Sequence, residues 1–304
     1  MLQYIKQYIK LTRAHIGIAV LPSFLLGTLF ALTMGYEFNL LIFLIGFLII
    51  FFLYASASYI NDYYDYEADK HNRQFGFSGG SGVLQKYPEL KKITRILAYI
   101  FILISIILTI ILAVFTFIPL WSIAFVGIGA FFALFYSAPP IRLSYRGAGE
   151  LPHFIAGLTN TAWGYLLLAG TIDLKLIIFA IPFSLHLLNV ILIFEIPDKE
   201  ADIHGGKRNF IVNHGRKHSF LLICIIFWVT TLYFFILSYL NWYTTFINFY
   251  FITLFSLVPS IISTIIYLKK PFEKSMATKS AIQSALSLFI FSIGLVMYFI
   301  YIQL

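Results

Sequence analysis

Long runs of apolar residues dominate the pattern along this chain. Nine runs come close to the roughly 20 residues that a helix needs to cross a bilayer core. They cover residues 14–34, 38–60, 93–117, 119–138, 151–172, 174–194, 218–239, 243–268 and 280–302. Strands of a membrane barrel alternate polar and apolar positions, whereas these runs are apolar on every face. The pattern therefore predicts an all-α protein with nine transmembrane helices.

The composition supports a membrane protein and one domain. Hydrophobic residues make up 60% of the chain and the mean hydropathy is +0.89, which is too apolar for a soluble protein. The first apolar run is too long for a signal peptide, so we expect it to remain as the first span. No low-complexity linker divides the chain, which predicts a single membrane domain over residues 1–304.

The charged residues fall almost entirely on one side of the predicted membrane. Of the 21 lysines and arginines, 20 lie in the N-terminus and in alternate loops, and Lys175 lies on the other side. The positive-inside rule then predicts a cytoplasmic N-terminus, a C-terminus on the opposite side, and a location in the inner (cytoplasmic) membrane of the cell. This topology and attraction to anionic lipids explain the net charge of +8, so we expect no nucleic-acid partner. Acidic residues contribute little to orientation, so their presence on the same face needs another reason.

Two acidic segments repeat at an offset of 133 residues. "NDYYDYEADKHNR" covers residues 61–73, and "FEIPDKEADIHGG" covers residues 194–206. Both follow an apolar run on the same side of the membrane, at the ends of the second and sixth spans. This repeat predicts two related four-helix halves, followed by a ninth helix, around a central cavity.

The spacing of the acids brings them together. Positions i, i+3 and i+7 share one face of a helix, which we expect to continue past the bilayer. The six carboxylates at these positions are Asp62, Asp65, Asp69, Glu195, Asp198 and Asp202. Such a group repels itself unless it is protonated or binds cations, and oxygen ligands suit Mg²⁺ shared with substrate phosphates. For either cluster taken by itself, a solvated helix end with ion pairs such as Glu67–Lys70 is an equally good interpretation.

Basic residues surround the acidic segments. Arg73 follows the first segment, Lys207 and Arg208 follow the second, and Arg142 lies in a loop between them. A shell of cations has no use around a bare metal ion, but it would neutralise phosphate oxygens and a departing diphosphate. The predicted ligand is therefore a diphosphate.

The two motifs closely resemble those of a known family. "NDYYDYEAD" resembles the N-D-x-x-D-x-x-x-D motif of the UbiA superfamily of intramembrane prenyltransferases, and "EIPDKEAD" resembles its second motif, with Glu195 in place of the usual Asp. The nine spans, "YSAPPIRL" and "LTRAHIGIAVLPSFLLG" also fit. The resemblance implies a prenyltransferase that transfers the prenyl group of an isoprenyl diphosphate to an electron-rich acceptor, with two Mg²⁺ ions as cofactors. Because the prenyl tail is a lipid, the site is expected to open toward the acyl chains of the bilayer.

The resemblance also implies roles for individual residues. The implied metal ligands are Asn61, Asp62, Asp65, Glu195, Asp198 and Asp202. The implied catalytic residues are Asp65, Asp69, Asp198 and Asp202. The implied diphosphate-binding residues are Asn61, Arg73, Arg142, Lys207, Arg208, Arg13 and Tyr136. For Tyr136, an aromatic anchor at the membrane interface is an alternative.

The segment after the first motif bears on the acceptor. "GGSGVLQKYPEL" is more similar to the branch that prenylates 1,4-dihydroxy-2-naphthoate for menaquinone biosynthesis, and this branch implies an aromatic small-molecule acceptor. The other acceptors left open are 4-hydroxybenzoate, a glyceryl lipid phosphate, haem and chlorophyllide. Residues 78–84, "SGGSGVL", are expected to form a flexible lid.

Two alternatives lie outside prenyl transfer. A terpene cyclase would use the same site without an acceptor. A cation-coupled transporter of the repeat type would place its acids near the bilayer midplane, whereas here they lie at the ends of spans.

Overall fold

The fold is all-helical, as predicted. A computed structural model describes residues 2–70, 80–243 and 246–304, and within these residues it contains thirteen α helices and no strand. The helices are α1 Leu2–Leu11, α2 Ala14–Thr33, α3 Leu40–Tyr64, α4 Tyr66–Asp69, α5 Val83–Lys86, α6 Lys91–Phe115, α7 Ile123–Phe135, α8 Leu151–Ala169, α9 Leu174–Glu195, α10 Lys199–His204, α11 Phe210–Tyr239, α12 Phe249–Leu268 and α13 Lys274–Tyr301.

Six helices in the described residues are long and apolar enough to cross a membrane. They are Leu40–Tyr64, Pro88–Phe115, Leu174–Glu195, Phe210–Tyr239, Phe249–Leu268 and Lys274–Tyr301, and each coincides with a predicted span. The other three predicted spans also form helices, namely α2, α7 and α8. The apolar parts of the first two are shorter, and α8 turns the polar residues His153 and Asn160 toward a cavity. The count of nine spans is therefore not confirmed.

Asparagine and aspartate side chains start four of the long helices. Asn39, Asp173, Asn209 and Asn248 precede α3, α9, α11 and α12, and each accepts a hydrogen bond from the backbone N–H three residues later. These bonds satisfy amide groups that have no partner within a helix. The starts of these four helices are thus determined by the local sequence.

Helices α2 and α8, the first long helix of each predicted half, cross with their backbones almost in contact. A Cβ added to Gly27 would lie 1.9 Å from the carbonyl oxygen of Thr161, and one added to Gly164 would lie 2.1 Å from that of Phe24. Small residues permit this close packing, which supplies van der Waals contact where the membrane offers no hydrophobic driving force. The crossing fixes the two predicted halves against each other.

Both acidic motifs lie where a long helix stops. α3 ends at Tyr64, Asp65 leaves helical geometry with ψ of 7°, and α4 begins at Tyr66. At the equivalent place in the second motif, α9 ends at Glu195 and Asp198 precedes α10 with ψ of −5°. The expectation of one continuous helix past the bilayer is therefore wrong. In each motif a separate short helix, α4 or α10, therefore begins directly after the aspartate at the matching position of the repeat.

Candidate active site

A cavity of about 280 Å³ lies between the two acidic motifs. Its polar end includes Arg13, Asn61, Asp69, Tyr136, Glu195, Asp198, Asp202 and Lys207. Its remaining wall is largely apolar and includes Ile50, Leu53, Phe132, Leu187 and Ile191. The structure thus joins a charged pocket to a space suited to a hydrocarbon chain.

The two motif helices contact each other directly. Gly205, at the end of α10, packs against Ala68 of α4 so closely that an added Cβ would lie 2.5 Å from the Ala68 Cβ. Asp69 and Asp202 are both buried beside this contact, with 6% and 7% of their surface exposed. The absence of a side chain at Gly205 lets the two acidic segments share one cavity.

Lys207 links the two motifs electrostatically. Its Nζ lies 2.8 Å from Asp65 Oδ2 and 3.3 Å from Asp202 Oδ1, and only 11% of its side chain is exposed. Burial opposes a charge on this amine, but the carboxylates of Asp202 and Asp65 raise the pKa of Lys207 well above its usual value. The ammonium group therefore stays charged and offsets part of the repulsion between the motifs.

Tyr145 and Arg142 form a second layer behind Asp65. The Tyr145 hydroxyl donates to Asp65 Oδ1 at 2.8 Å, and burial together with Asp65 raises the pKa of Tyr145, which keeps the hydroxyl a donor. The guanidinium carbon of Arg142 lies 3.7 Å from the centre of the Tyr145 ring. Arg142 thus supports the first motif through Tyr145 by a cation–π contact.

Residues after the first motif hold its aspartates, a role that sequence reasoning missed. The Ser81 backbone N–H donates to Asp62 Oδ2 at 3.2 Å, and the Ser81 hydroxyl and the Arg13 guanidinium also contact the Asp62 carboxylate. Gly80 adopts a left-handed φ of +59°, and a Cβ there would lie 2.3 Å from Asp69 Oδ2. Both Gly80 and Ser81 are buried, so the described part of "SGGSGVL" is a fixed support rather than the expected lid. In the sequence, the glycine and serine residues that follow the first motif were the available indication that this segment contacts the aspartates.

Several buried carboxylate oxygens lack a hydrogen-bond donor. In the described residues, Asp69 Oδ2 and both oxygens of Glu195 have no hydrogen bond of normal geometry, although the Asn209 amide lies near Glu195. Burial raises the pKa of Asp69 to about 6, against the opposing effect of Lys207. Oxygens of this kind are costly to bury and are suited to a cation.

These oxygens fit Mg²⁺ bound together with a phosphate ligand. Within the described ranges, no three His, Cys, Asp or Glu side chains cluster closely enough to enclose a metal ion by themselves. Mg²⁺ seldom needs such an enclosure, since one or two carboxylates, waters and substrate phosphates usually complete its shell. The donor set therefore fits the ion only when a second ligand supplies further oxygens.

The other predicted residues divide between the cavity and its surroundings. Tyr136 lines the cavity, with its ring 5.8 Å from that of His153 in an edge-to-face contact. Arg208 has an exposed side chain, and its backbone N–H donates to the Ser144 carbonyl at 3.0 Å. Arg73 lies outside the described residues.

Matching acids in the two motifs point away from the cavity. Glu67 is exposed and pairs with Lys70 at 2.8 Å, and Glu200 pairs with Arg216 at 2.8 Å. These two glutamates occupy equivalent positions of the repeat. The interpretation as an exposed ion pair thus applies to Glu67 and Glu200, whereas Asp65 and Asp202 are buried and share Lys207 between the two motifs.

Comparison with known proteins gives the family. The model of the UbiA prenyltransferase family matches residues 20–293. No curated protein sequence gives a significant match.

Solved structures share the fold at low sequence identity. A UbiA homologue from Archaeoglobus fulgidus, bound to DMAPP and Mg²⁺, has a TM-score of 0.67 and 15% identity, with 96% of this chain and 99% of that chain covered. A structure reported for digeranylgeranylglyceryl phosphate synthase in membranes has a TM-score of 0.64 and 17% identity over 97% and 98% of the two chains. An apo UbiA homologue from Aeropyrum pernix K1 has a TM-score of 0.65 and 16% identity over 94% and 97%.

The apolar helical fold with a charged cavity at one end defines an integral membrane enzyme. The family model covers most of its length, and the chain belongs to the UbiA prenyltransferase family.

Proposed function

We propose that this protein transfers a polyprenyl group from an isoprenyl diphosphate to an aromatic acceptor, with Mg²⁺ as the cofactor. The observation that carries the proposal is the single cavity in which Asn61, Asp69, Glu195, Asp198 and Asp202 meet an apolar wall. The Archaeoglobus fulgidus homologue was solved with DMAPP and Mg²⁺, which supports the same ligand class here.

The polar end of the cavity is proposed to bind the diphosphate. Asn61, Asp62 and Asp65 of the first motif and Glu195, Asp198 and Asp202 of the second are the proposed Mg²⁺ ligands. When bound, Mg²⁺ neutralises charge on the phosphate oxygens and on the departing diphosphate. Lys207 and Arg13 line the same end and would pair with phosphate oxygens once the ion takes over the carboxylates.

The remaining diphosphate contacts act from further away. Arg142 orders Tyr145 and so positions Asp65. Arg208 reaches the ligand only if its exposed side chain turns inward. Arg73 is retained as a proposed contact on sequence grounds.

The apolar wall is proposed to hold the prenyl chain and stabilise its reactive end. Cleavage of the C1–O bond leaves a positive charge on the allylic carbon and sends the electron pair to the diphosphate. Phe132 and Tyr136 lie along the cavity, and aromatic faces stabilise nearby cations. An apolar surround also keeps water from capturing this carbon.

The proposed acceptor is 1,4-dihydroxy-2-naphthoate, in menaquinone biosynthesis. Its electron-rich ring would form a carbon–carbon bond with C1 of the prenyl group at the carbon that bears the carboxylate. Loss of CO₂ returns the bonding electron pair to the ring. This choice rests on the sequence of residues 79–90 after the first motif.

We also propose the membrane arrangement in which this chemistry takes place. Nine helices, namely the six candidate spans together with α2, α7 and α8, would cross the inner membrane of the cell as a single repeat-containing domain. The N-terminus and the charged cavity would face the cytoplasm, with the C-terminus on the other side.

The test is an assay of purified protein with Mg²⁺, geranylgeranyl diphosphate and a panel of aromatic acceptors, read by mass spectrometry of the organic extract. A prenylated naphthalene product lacking the carboxylate supports both the reaction and the acceptor. Transfer only to another acceptor overturns the branch assignment. Diphosphate release with a cyclic hydrocarbon and no transfer product overturns transferase activity.

Variants in the first motif provide matched controls. Asp65→Asn should reduce turnover by about 10²-fold or more, because its carboxylate is a proposed Mg²⁺ ligand and is held in place by Lys207 and Tyr145. Glu67→Gln removes an acid two residues away, but its side chain is exposed and faces Lys70. It should keep nearly full turnover, and equal losses in the two variants would count against the proposed site.

A further inference from the structure

The first helix, α1, has a protein-facing, an apolar and a basic face, and none of them has a role in the proposed catalysis. On α1, the Tyr59 hydroxyl donates to the Tyr8 carbonyl at 2.6 Å, and Leu11 is fully buried. Ile5 and Ile9 are exposed one turn apart, with 46% and 64% of their surface accessible. Lys6 and Lys10 are also exposed and form the next row around the helix.

Helix geometry separates these rows by a regular angle. Each residue advances about 100° around the axis, so the isoleucine row lies between the protein-facing row and the lysine row. A helix in water gains nothing from an exposed isoleucine row, whereas a helix in a bilayer interface buries such a row in acyl chains and places lysines among the headgroups. The protein-facing row, which includes Tyr8 and Leu11, packs against α3 and α5.

The same helix is tied to the first acidic motif. Arg13, two residues after α1, adopts a left-handed φ of 47°, and its carbonyl accepts a hydrogen bond from the Tyr54 hydroxyl at 2.8 Å. Its guanidinium contacts the Asp62 carboxylate. Leu11 also packs in one hydrophobic cluster with Val83, two residues after Ser81, the second partner of Asp62. The position of α1 therefore bears on both groups that hold Asp62.

We propose that α1 binds the surface of an anionic bilayer through Ile5, Ile9, Lys6 and Lys10, and that this docking keeps Arg13 at the polar end of the cavity, beside Asp62. The partner is the lipid headgroup layer, since two exposed lysines complement its negative charge while the isoleucines enter its apolar edge. The lipid contact is independent of the proposed function. The effect on Asp62 rests on that function.

The lipid contact can be tested with single-cysteine probes in the full-length protein. Cys224 is the only cysteine, so Cys224→Ser provides a background for Ile9→Cys and Lys10→Cys. Each is labelled with an environment-sensitive fluorophore in phosphatidylcholine bilayers with and without phosphatidylglycerol. The bilayers also contain a lipid that carries a nitroxide on the upper part of its acyl chain, at the depth expected for the isoleucine row. The probe at position 9 should be blue-shifted and quenched more strongly than the probe at position 10, most clearly with phosphatidylglycerol. Equal quenching at both positions, or none at position 9, overturns the proposal.

The effect on Asp62 is tested with charge variants in the same bilayers. Removing each lysine should lower the ratio of docked to undocked helix about fivefold. The double variant Lys6→Gln/Lys10→Gln should therefore have a lower turnover than the parent in the anionic bilayer. Its turnover there should match that of the parent protein in phosphatidylcholine alone. Lys269→Gln/Lys270→Gln removes the same charge from another exposed pair and should not lower turnover.

The outcomes separate the parts of the proposal. Unchanged turnover in the Lys6/Lys10 variant overturns the link to Asp62. If the parent protein shows no turnover in either bilayer, the proposed function fails, and the quenching experiment still decides whether α1 lies on the membrane.

Discussion

The contact between Gly80 and Asp69 gives a sharp test of the proposed site. A Cβ at residue 80 would lie 2.3 Å from Asp69 Oδ2, whereas ordinary van der Waals contact begins at 3.4 Å. In Gly80→Ala, the carboxylate must therefore move by about 1 Å, the difference between these distances. A displacement of about 1 Å at a catalytic group costs about 10² in rate, so we expect turnover to fall about 10²-fold.

The same variant carries a backbone cost that must be separated from this effect. Alanine in a left-handed conformation costs roughly 1 kcal/mol or slightly more, which lowers the melting temperature by a few degrees. Gly35 also has a positive φ, of +89°, but an added Cβ there meets no atom within 4 Å. Gly35→Ala should show a similar loss of stability with turnover unchanged.

The assay measures initial rates at saturating prenyl diphosphate and over a range of Mg²⁺ concentrations, alongside thermal unfolding in detergent. The reasoning is refuted if Gly80→Ala keeps turnover within about threefold of the parent, which is well short of the expected loss. It is also refuted if Gly35→Ala loses as much turnover as Gly80→Ala.

Three further predictions concern the contacts between the motifs. Lys207→Met leaves the carboxylates of Asp65 and Asp202 without their cation. In EDTA the free energy of unfolding should therefore fall by about 3 kcal/mol. Added Mg²⁺ should restore part of this loss, measured by thermal unfolding. Tyr145→Phe removes one donor to Asp65, so turnover should fall about tenfold with little change in the KM for the acceptor. Gly205→Ala should separate α4 from α10 and lower turnover at least tenfold, measured as initial rate.

Each of these predictions has a clear contrary result. Mg²⁺ that stabilises the parent but not Lys207→Met would count against shared carboxylate ligands. A Tyr145→Phe protein with parental turnover would show that the hydroxyl does not position Asp65. For Gly205→Ala the control is Gly127→Ala in α7, where an added Cβ meets nothing within 4 Å. Similar losses of turnover in the two glycine variants would show that the close packing of Gly205 against Ala68 is not the cause.

The two motifs show how much of the site was predictable from the sequence. The spacing of Asp65, Asp69, Asp198 and Asp202 predicted that carboxylates from distant segments meet, and the cavity contains three of these four. Spacing could not predict that the long helices end at Tyr64 and Glu195, within the motifs, because a local pattern of acids is compatible with both a continuous and an interrupted helix.

The supporting contacts required the folded chain. Lys207 was expected to bind phosphate, but it also bridges the two motifs in the described structure. Ser81 and Gly80 were expected in a lid, because a glycine-rich segment without a packing partner is flexible. Their burial against Asp62 and Asp69 depends on where α3 ends, which no short-range pattern encodes.

The sequence by itself determined the helical class, the membrane environment, the repeat of acidic motifs and the resemblance to the family. These features depend on apolar run length and on residue spacing, which are local properties of the chain. The tertiary structure decided which acids face the cavity and which face away, as Asp69 and Glu67 show only two residues apart. It also decided what holds each carboxylate, since these partners are brought together by the packing of helices distant in sequence.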